Sequence, residues 1–460
     1  MSKIRFTNAH IIDGKGGHIL ENSSVTIENN HIVEIGNIPQ DTEGLQEVDL
    51  QGKYMIPGLW DMHAHVLLPD LMDWQHALLL VNGVTGVRDC GSDPSLAAEY
   101  NQQIKSGTKQ GPDVSYAGPM LDGAPMLWPD FSVPVNNPEE AAGIVAHLNA
   151  AGADFFVAQS LISKDALKAL IEFAGKVGKN VTIQNPLAVS WEEASDLGVV
   201  SFETLGGMFS ALTPDGGSAF KKNLVGAIQA GKIDFSNFNP LAEFFNDREA
   251  SRVLFHNVPE VEVQAYNSDN AKRLADHLAK NETCFCPQLL LIEDLAMVDK
   301  MQTDDLMKYV PQPVIEMWNA GIPWDNLPQR RLDTGRKYLD CAIDFVNILN
   351  GAGVKLLAGT HTILPHVYPG FDLHNELFLL TQAGLSNYEA LQTATLNATE
   401  ALRKDNESGT IEIGKKANLV FLEKNPLKDI RNIQSISGVV RNGHYTNETS
   451  LSQILISIQQ

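Results

Sequence analysis

Residues 55–65 read Met55-Ile56-Pro57-Gly58-Leu59-Trp60-Asp61-Met62-His63-Ala64-His65, and this stretch decides both the fold and the candidate chemistry. It is an apolar run, broken by Pro-Gly and closed by two histidines that are separated by one residue. Alternate residues of a β-strand point to the same face, so a strand here aims His63 and His65 at one point. Two convergent imidazoles are the beginning of a metal site, although paired histidines also occur as hydrogen-bonded core or surface residues.

The composition describes a large, acidic protein. The chain has 460 residues, 43% of them hydrophobic, and a formal net charge of −22, which allows a large core and more than one domain. Such a charge argues against nucleic acid and anionic membranes as partners. The first residues have no signal-peptide pattern, no apolar run is long enough to span a bilayer, and four cysteines make no disulfide framework. These features predict a cytoplasmic protein.

From Pro57 onward, short apolar runs alternate with helical stretches, which is the pattern of parallel βα units. The first unit continues into a helix near 71–82, and a helix at 164–177 follows a later strand. Eight such strands predict a fold of the α/β class, a (β/α)8 or TIM barrel. The predicted strands begin at Ile56 and then cover 86–89, 113–117, 154–158, 181–184, 199–203, 283–286 and 354–359.

The two ends of the chain have a different character. Residues 24–28 and 31–35 alternate around Asn29-Asn30, which predicts a tight hairpin, and strand-like segments return at 408–422. We expect both ends to pair into one small β-sandwich domain. The predicted boundaries are 1–56 and 408–460 for the two parts of the sandwich and 57–407 for the barrel, with an inserted helical segment near 206–280 that shapes the pocket.

A series of short motifs follows the H-x-H segment in a fixed order. They are Asn82–Asp89, Gly152–Phe155, Ala358–Thr360, Leu373–Leu377, Ala383–Ser386, Ala390–Ala398 and Gly409–Val420. In this order and spacing they resemble the amidohydrolase superfamily, and most closely its imidazolonepropionase-like and prolidase-like branch. The likeness extends over nearly the whole chain.

The resemblance implies a barrel with a β-sandwich built from both termini and one or two divalent metals at the barrel mouth. Superfamily members usually take metal ligands from the H-x-H pair, a carbamylated lysine on strand 4, histidines on strands 5 and 6, and an aspartate on strand 8. The metals hold a hydroxide that attacks an amide, ester or lactam carbonyl, and the aspartate moves the proton. This sequence keeps the H-x-H pair but has Val157, Gln184, Thr204 and His361 at the other four positions.

These replacements predict one metal rather than two. Val157, Gln184 and Thr204 leave a second metal almost without ligands, whereas His361 adds a third imidazole beside the H-x-H pair. Three neutral nitrogens with an open position suit Zn²⁺, and Fe²⁺, Mn²⁺ and Ni²⁺ accept the same ligand type. The alternative is that the three histidines form a hydrogen-bonded cluster that binds no metal.

Other residues are candidates for proton transfer and substrate binding. His366 is the nearest replacement for the lost aspartate, and the alternative is an ordinary loop histidine beside Pro365. Gln184 and Thr204 are predicted to face the barrel interior and to hydrogen-bond the substrate, unless they satisfy each other through water. Glu203 precedes the second of these positions, so we expect it to face away from the interior and to pair with a helix.

Apolar residues in or beside the predicted mouth loops indicate a pocket for an apolar substrate, with Trp128 as the candidate contact. Ordinary contacts within the loops explain the same residues. They are Trp128, Phe131, Val157, Phe202, Met208 and Phe209.

The sequence therefore predicts a hydrolase of a C–N bond (amide or lactam) or an ester bond in a small apolar substrate, working through an atypical mononuclear metal site. The alternatives are a non-hydrolytic dehydratase, cyclase or isomerase, and a metal-free pseudoenzyme that binds a small ligand in the barrel mouth. The expected partners are a small-molecule substrate and further copies of the chain in a homo-oligomer, with no nucleic acid and no membrane.

Overall fold

The computed structural model describes residues 3–36, 45–205, 266–301 and 304–459, together with short stretches between 212 and 264. The strands are β1 (Lys3–Ile12), β2 (Ile19–Glu28), β3 (His31–Gly36), β4 (Gln46–Asp49), β5 (Tyr54–Pro57), β6 (Leu59–Ala64), β7 (Val84–Asp89), β8 (Asp113–Tyr116), β9 (Met120–Asp122), β10 (Ser132–Pro134), β11 (Phe155–Ala158), β12 (Asn180–Gln184), β13 (Ser201–Glu203), β14 (Cys284–Cys286), β15 (Leu419–Leu422), β16 (Ile436–Arg441) and β17 (His444–Asn447). The helices are α1 (Met72–Val81), α2 (Pro94–Ser106), α3 (Pro138–Ala150), α4 (Lys164–Lys176), α5 (Trp191–Leu197), α6 (Pro240–Phe245), α7 (Ser268–Lys280), α8 (Leu289–Met301), α9 (Gln312–Asn319), α10 (Gln329–Gly351), α11 (Phe371–Gln382), α12 (Asn387–Thr393), α13 (Leu396–Ala401) and α14 (Glu448–Ile458).

The strands of both chain ends join in one eight-stranded sheet, as the sequence predicted for a β-domain built from both termini. Its order is β17-β16-β15-β5-β1-β2-β3, and β4 pairs with β1. The two ends meet where β5 and β15 pair antiparallel. The predicted hairpin is confirmed, because β2 and β3 pair antiparallel and Asn29 between them has a φ of 57°. Phe6 holds the sheet's core together, with its ring 4.8 Å from that of Phe421 and 5.3 Å from that of Tyr445.

The middle of the chain forms parallel βα units. One sheet has the order β6-β7-β8, and a second has the order β10-β9-β11-β12-β13-β14. Seven of the eight predicted barrel strands are present among the described residues. The eighth, predicted at 354–359, forms only single parallel bridges, such as Phe285 to Leu356.

Backbone hydrogen bonds nevertheless place this eighth segment between β14 and β6. The amide of Leu357 donates to the carbonyl of Phe285 (2.9 Å), and the amide of Met62 donates to the carbonyl of Ala358 (2.8 Å). At the other junction between the sheets, the amide of Asp154 donates to the carbonyl of Tyr116 (2.8 Å). The ladders do not merge into one closed sheet. The carboxyl ends of the parallel strands still meet at one edge, which is where βα folds place functional side chains.

An aromatic layer separates the strands from the surrounding helices. The ring of Trp191, the first residue of α5, stacks on Phe202 at 4.5 Å and lies 5.8 Å from Phe285. Phe202 is fully buried in this layer. Its proposed place beside the substrate pocket is therefore wrong, because the strand alternation turns it outward between β13 and the helices.

Some predicted elements differ in extent. Most of the predicted insertion near 206–280, including Met208 and Phe209, lies outside the described residues, and its last part is α7. Two short helices, α12 and α13, precede the strands that return at the C-terminal end. The last helix, α14, packs on α1 through Leu451. None of the described helices combines the length and the apolar character that crossing a membrane requires.

Candidate metal centre

Three histidines converge at the carboxyl ends of the strands. His63 is in β6, His65 follows it directly, and His361 comes from the eighth segment. Their potential ligand nitrogens all lie within 4.8 Å of one another, and no other such group of three is found in the described part of the chain. The ring of His361 lies 4.3 Å from that of His63 and 5.2 Å from that of His65. The structure thus brings together the three residues that the sequence singled out.

His63 is held by partners on both ring nitrogens. Its Nδ1 lies 2.9 Å from Oε2 of Glu203, and its Nε2 lies 3.0 Å from Nε2 of Gln184. Since an ionised carboxylate can only accept, Nδ1 carries the proton and Nε2 accepts the amide hydrogen of Gln184. Carboxylates that orient an imidazole in this way are common behind metal-ligating histidines.

Arg88 neutralises the carboxylate behind His63. Its Nη2 lies 2.6 Å from both oxygens of Glu203, Nη1 donates to Oγ of Ser201 (3.1 Å), and Nε donates to the carbonyl of Met62 (2.6 Å). Burial opposes the charge of the guanidinium, but Glu203 raises the pKa of Arg88 above its usual value. A buried ion pair of this kind requires full hydrogen bonding, and this one has it.

The position of Glu203 corrects the sequence analysis. We predicted that it faces away from the interior and pairs with a helix, but it is fully buried and bonds His63 and Arg88 from neighbouring strands. In β13 it shares a face with Ser201, whose hydroxyl donates to it at 2.6 Å. The prediction was wrong because it assumed that Thr204 continues the strand. Thr204 instead lies beyond the end of β13 and has a φ of 64°.

His361 is oriented by an amide. Its Nδ1 lies 3.0 Å from Oε1 of the buried Gln288, so Nδ1 donates and Nε2 is left as the free lone pair. Both residues have positive φ, 60° for His361 and 55° for Gln288. Non-glycine residues seldom adopt this conformation, and it is concentrated at functional sites. Sequence reasoning missed Gln288, because it follows β14 in an unremarkable segment.

His65 faces the loops. In the described residues its Nδ1 is buried without a hydrogen-bond partner, and the ring of Phe131 lies 5.8 Å away. Gly91 is also close, since a Cβ added to it would lie 3.3 Å from Nδ1. Phe131 and Gly91 line a cleft of about 400 Å³ together with Leu67, Leu68 and Val133. The cleft therefore adjoins the histidine cluster on its loop side.

The donor set fits a divalent metal. Burial is the main cause that lowers the pKa of each of His63, His65 and His361, so all three are neutral at pH 7 and can offer lone pairs. Two of the three donate Nδ1–H to an oxygen, which leaves Nε2 for a ligand. Within the described part of the chain, the amide of Gln184 already uses such a lone pair, on His63.

Asp61 secures the backbone beneath the cluster. Its carboxylate accepts from the amide (3.0 Å) and hydroxyl (2.6 Å) of Thr360 and from the amide of His63 (3.2 Å). Burial raises its pKa to about 6 despite these bonds. Asp61 therefore ties β6 to the segment that carries His361.

His366 lies apart from the cluster, between two tryptophans. It is 3% exposed, and its ring is 5.6 Å from Trp318 and 5.7 Å from Trp324. Neither ring nitrogen has a hydrogen-bond partner among the described residues, and burial lowers its pKa to about 4. The structure thus places this candidate proton carrier in an apolar setting, where it is a weak base.

The predicted substrate contacts have different surroundings. Gln184 is bonded at both ends of its amide, to His63 and to Gln159. The amide of Thr204 donates to the carbonyl of Cys286 (2.9 Å). Trp128 packs against an apolar group that includes Val157, a position where a metal-ligating lysine was expected from the resemblance. These contacts do not test whether Gln184, Thr204 and Trp128 bind a substrate, so the three roles stay predictions.

Comparison with known proteins supports the resemblance. Solved structures similar to this chain include a bottromycin amidohydrolase (TM-score 0.75, 18% identity, 99% of this chain and 90% of that chain) and a Xaa-Pro dipeptidase with bound methionine (TM-score 0.67, 19% identity, 97% and 100%). At this level of identity they establish the fold alone. Residues 341–445 match the model of the amidohydrolase family. This match lies in the C-terminal part of the chain and supports the resemblance to the amidohydrolase superfamily.

Two curated proteins match this chain over short segments. A dihydroorotase of Trichlorobacter lovleyi is 38% identical over 64 residues, which are 12% of this chain and 15% of that protein. A 5-methylthioadenosine/S-adenosylhomocysteine deaminase of Bacillus cereus is 30% identical over 69 residues, 14% and 16%. The chain thus aligns with about a sixth of the length of these relatives. The structural neighbours imply a TIM-barrel-type α/β fold with a sheet domain.

Proposed function

We propose that this chain is a hydrolase of a C–N bond (amide or lactam) or an ester bond in a small, apolar substrate, and that it works with one divalent metal held by His63, His65 and His361. Zn²⁺ is the ion that three imidazoles suit best. The observation that carries the proposal is the convergence of three imidazoles, with ligand nitrogens within 4.8 Å of one another, at the ends of parallel strands. Two of them are oriented by Nδ1–H donation to an oxygen.

We extend the proposal to the architecture. The seven parallel strands and the bridged segment near 354–359 would act as one closed (β/α)8 barrel within 57–407, which includes the inserted segment near 206–280. The parts 1–56 and 408–460 would form the accompanying β-sandwich. The backbone bonds that join β14, the eighth segment and β6 support this division.

The chain's own residues would hold and orient the reacting groups. A divalent metal bound here supplies a Lewis acid and lowers the pKa of a bound water. Glu203 keeps the proton of His63 on Nδ1, and Gln288 does the same for His361. If the proton moved to Nε2 in either ring, the hydrogen bond at Nδ1 would be lost. Trp128 and Thr204 would contact the substrate, and the cleft beside Phe131 would receive an apolar group.

His366 is the proposed proton carrier. Because its pKa is about 4, it is neutral near pH 7 and accepts a proton only when a substrate or a conformational change offers it a polar partner. A small-molecule substrate, a cytoplasmic location and a homo-oligomer complete the proposal.

A second candidate is a metal-free protein that binds or isomerises a small ligand. One observation favours it: both ring nitrogens of His63 are satisfied by Glu203 and Gln184 without any ion. In a barrel that binds no metal, the buried histidines need hydrogen-bond partners instead, because unpaired buried polar groups destabilise the fold.

Metal analysis separates the two candidates. We would measure metal by elemental mass spectrometry on untagged protein purified without chelator, for the wild type, His361→Ala and the exposed control His444→Ala. About one ion per chain, lost only in His361→Ala, is the expected result and justifies a screen of amides, lactams and esters in ¹⁸O-water. Metal-free protein that still binds ligands, or turnover without incorporation of ¹⁸O, would overturn the hydrolase proposal.

A further inference from the structure

A line of buried amides ends at His63. The backbone amide of Ser160 donates to Oε1 of Gln159 (2.8 Å), Nε2 of Gln159 donates to Oε1 of Gln184 (2.6 Å), and Nε2 of Gln184 faces Nε2 of His63 at 3.0 Å. A backbone N–H can only donate, so it fixes which end of each side-chain amide is the oxygen. The amide of Gln184 must therefore present its N–H groups to His63.

The opposite side of His63 fixes the ring in the same sense. The Glu203 carboxylate, which is paired with Arg88, accepts the Nδ1 proton at 2.9 Å. Nε2 is therefore the lone-pair nitrogen, and Gln184 occupies it. All of these side chains are buried, from fully enclosed Glu203 to Gln184 at 6% exposure. The network leaves no donor or acceptor of His63 unused.

A divalent cation needs the lone pair that Gln184 occupies. Among the described residues, no side chain competes for a lone pair of the other two imidazoles in this way. Nδ1 of His65 is buried without a side-chain partner, and Gln288 bonds Nδ1 of His361 rather than its Nε2. Gln184 cannot simply turn its amide over, because the exchange would set its oxygen against the His63 lone pair and its NH₂ against the donor group of Gln159. Binding at His63 therefore requires Gln184 to leave.

We propose that Gln184 competes with a divalent metal for Nε2 of His63, and that it thereby sets the metal affinity of the three-histidine cluster. The inference rests on the proposed function, because it takes the cluster as the metal site. Gln184 is in this view a positioning residue, held against His63 by Gln159. When Gln184 moves away from His63, its buried amide loses its hydrogen-bond acceptor. The free energy of that lost bond weakens the binding of the metal.

The proposal predicts a gain of affinity, which damage to the fold does not produce. Gln184→Ala removes the competing N–H and is expected to tighten Zn²⁺ binding about tenfold or more. Gln159→Ala keeps Gln184 but frees its oxygen, so the amide can turn away at less cost, and an intermediate gain is expected. Thr182→Ala is the matched control, since it truncates a buried side chain of the same strand without touching the amide line.

The measurement is a Zn²⁺ titration of chelator-treated full-length protein in competition with a chromophoric chelator, with circular dichroism to verify folding. Tighter binding in Gln184→Ala that disappears in the double variant Gln184→Ala/His361→Ala supports the proposal. Wild-type or weaker affinity in folded Gln184→Ala and Gln159→Ala overturns it, as does a gain that survives the loss of His361.

Turnover is scored separately, so the two proposals can fail independently. A gain of Zn²⁺ affinity in protein that hydrolyses nothing supports the role of Gln184 and removes the hydrolase function. Metal-dependent hydrolysis together with a Zn²⁺ affinity that is unchanged in Gln184→Ala supports the hydrolase function and removes the role of Gln184.

Discussion

The strand side of the candidate site differs from its loop side in how completely its polar atoms are satisfied. On the strand side, Arg88, Glu203, His63 and Gln184 form a buried network in which each ring nitrogen of His63 has a partner. On the loop side, Nδ1 of His65 has no hydrogen-bond partner in the described residues. The same is true of both ring nitrogens of His366, which lies apart from the cluster between Trp318 and Trp324.

This difference indicates that the strand side has a structural role and that the loop side is the place for a ligand. Buried polar groups without partners are costly, so a fold retains them where a ligand, ion or water supplies the missing bond. The saturated strand side resists change and positions one imidazole, whereas the loop side, which adjoins the cleft beside Phe131, has the unused bonding capacity. The following variants test that division, from the largest expected effect to the smallest.

Removing the carboxylate of the strand side should cause the largest loss of stability. Glu203→Leu leaves the guanidinium of Arg88 buried without a counter-charge, and we expect the free energy of unfolding to fall by about 3–5 kcal/mol. Urea denaturation measures it. Glu193→Gln breaks an exposed pair with Lys164 and should change little. Similar stabilities of the two variants would contradict the structural role of the strand side.

Removing the hydrogen-bond acceptor of His361 should affect metal binding more than folding. Gln288→Ala removes the acceptor that keeps the proton of His361 on Nδ1, so Zn²⁺ affinity should fall about 10–100-fold. The chelator competition assay measures this, with the exposed Gln102→Ala as the control. Unchanged affinity would show that His361 needs no orienting partner.

His374 tests what a satisfied but buried histidine contributes at low pH. It donates Nε2–H to the carbonyl of Asn82 (2.9 Å), and burial lowers its pKa to about 4. The unfolded chain, with the ordinary pKa near 6.5, binds the proton first, so stability is lost as pH falls from about 6.5 towards 4. Between pH 7 and 5 we expect the free energy of unfolding to fall by about 2 kcal/mol less in His374→Phe than in the wild type. An identical pH dependence of variant and wild type in urea denaturation would refute this assignment.

The smallest effect is expected where an imidazole has no partner to lose. His366→Phe replaces a ring that lies between Trp318 and Trp324 and has no hydrogen bond to any residue that the structure describes, so stability should change by less than about 1 kcal/mol or increase. Thermal unfolding measures this. A loss of turnover at unchanged stability would identify His366 as the proton carrier, whereas a large loss of stability would reveal a polar partner.

Local sequence patterns determined most of the fold. The hairpin around Asn29, the strand that carries His63 and the helix at 164–177 were predicted from alternation, turn residues and helical periodicity, all of which act over a few neighbours. The grouping of His361 with the H-x-H pair came from the resemblance. Fold-level likeness orders the strands and so brings their ends together.

Only the tertiary structure decided which partners these side chains meet. The orientation of Glu203 depended on where β13 ends, and the positive φ of Thr204 breaks the alternation on which the sequence argument relied. Gln159 and Gln288 carry no local signal, because their roles arise from bonds to residues 25 and 73 positions away. The sequence by itself determined the elements and the presence of three histidines. The tertiary structure decided which lone pairs are free, because a hydrogen bond depends on distance and direction in space rather than on separation along the chain.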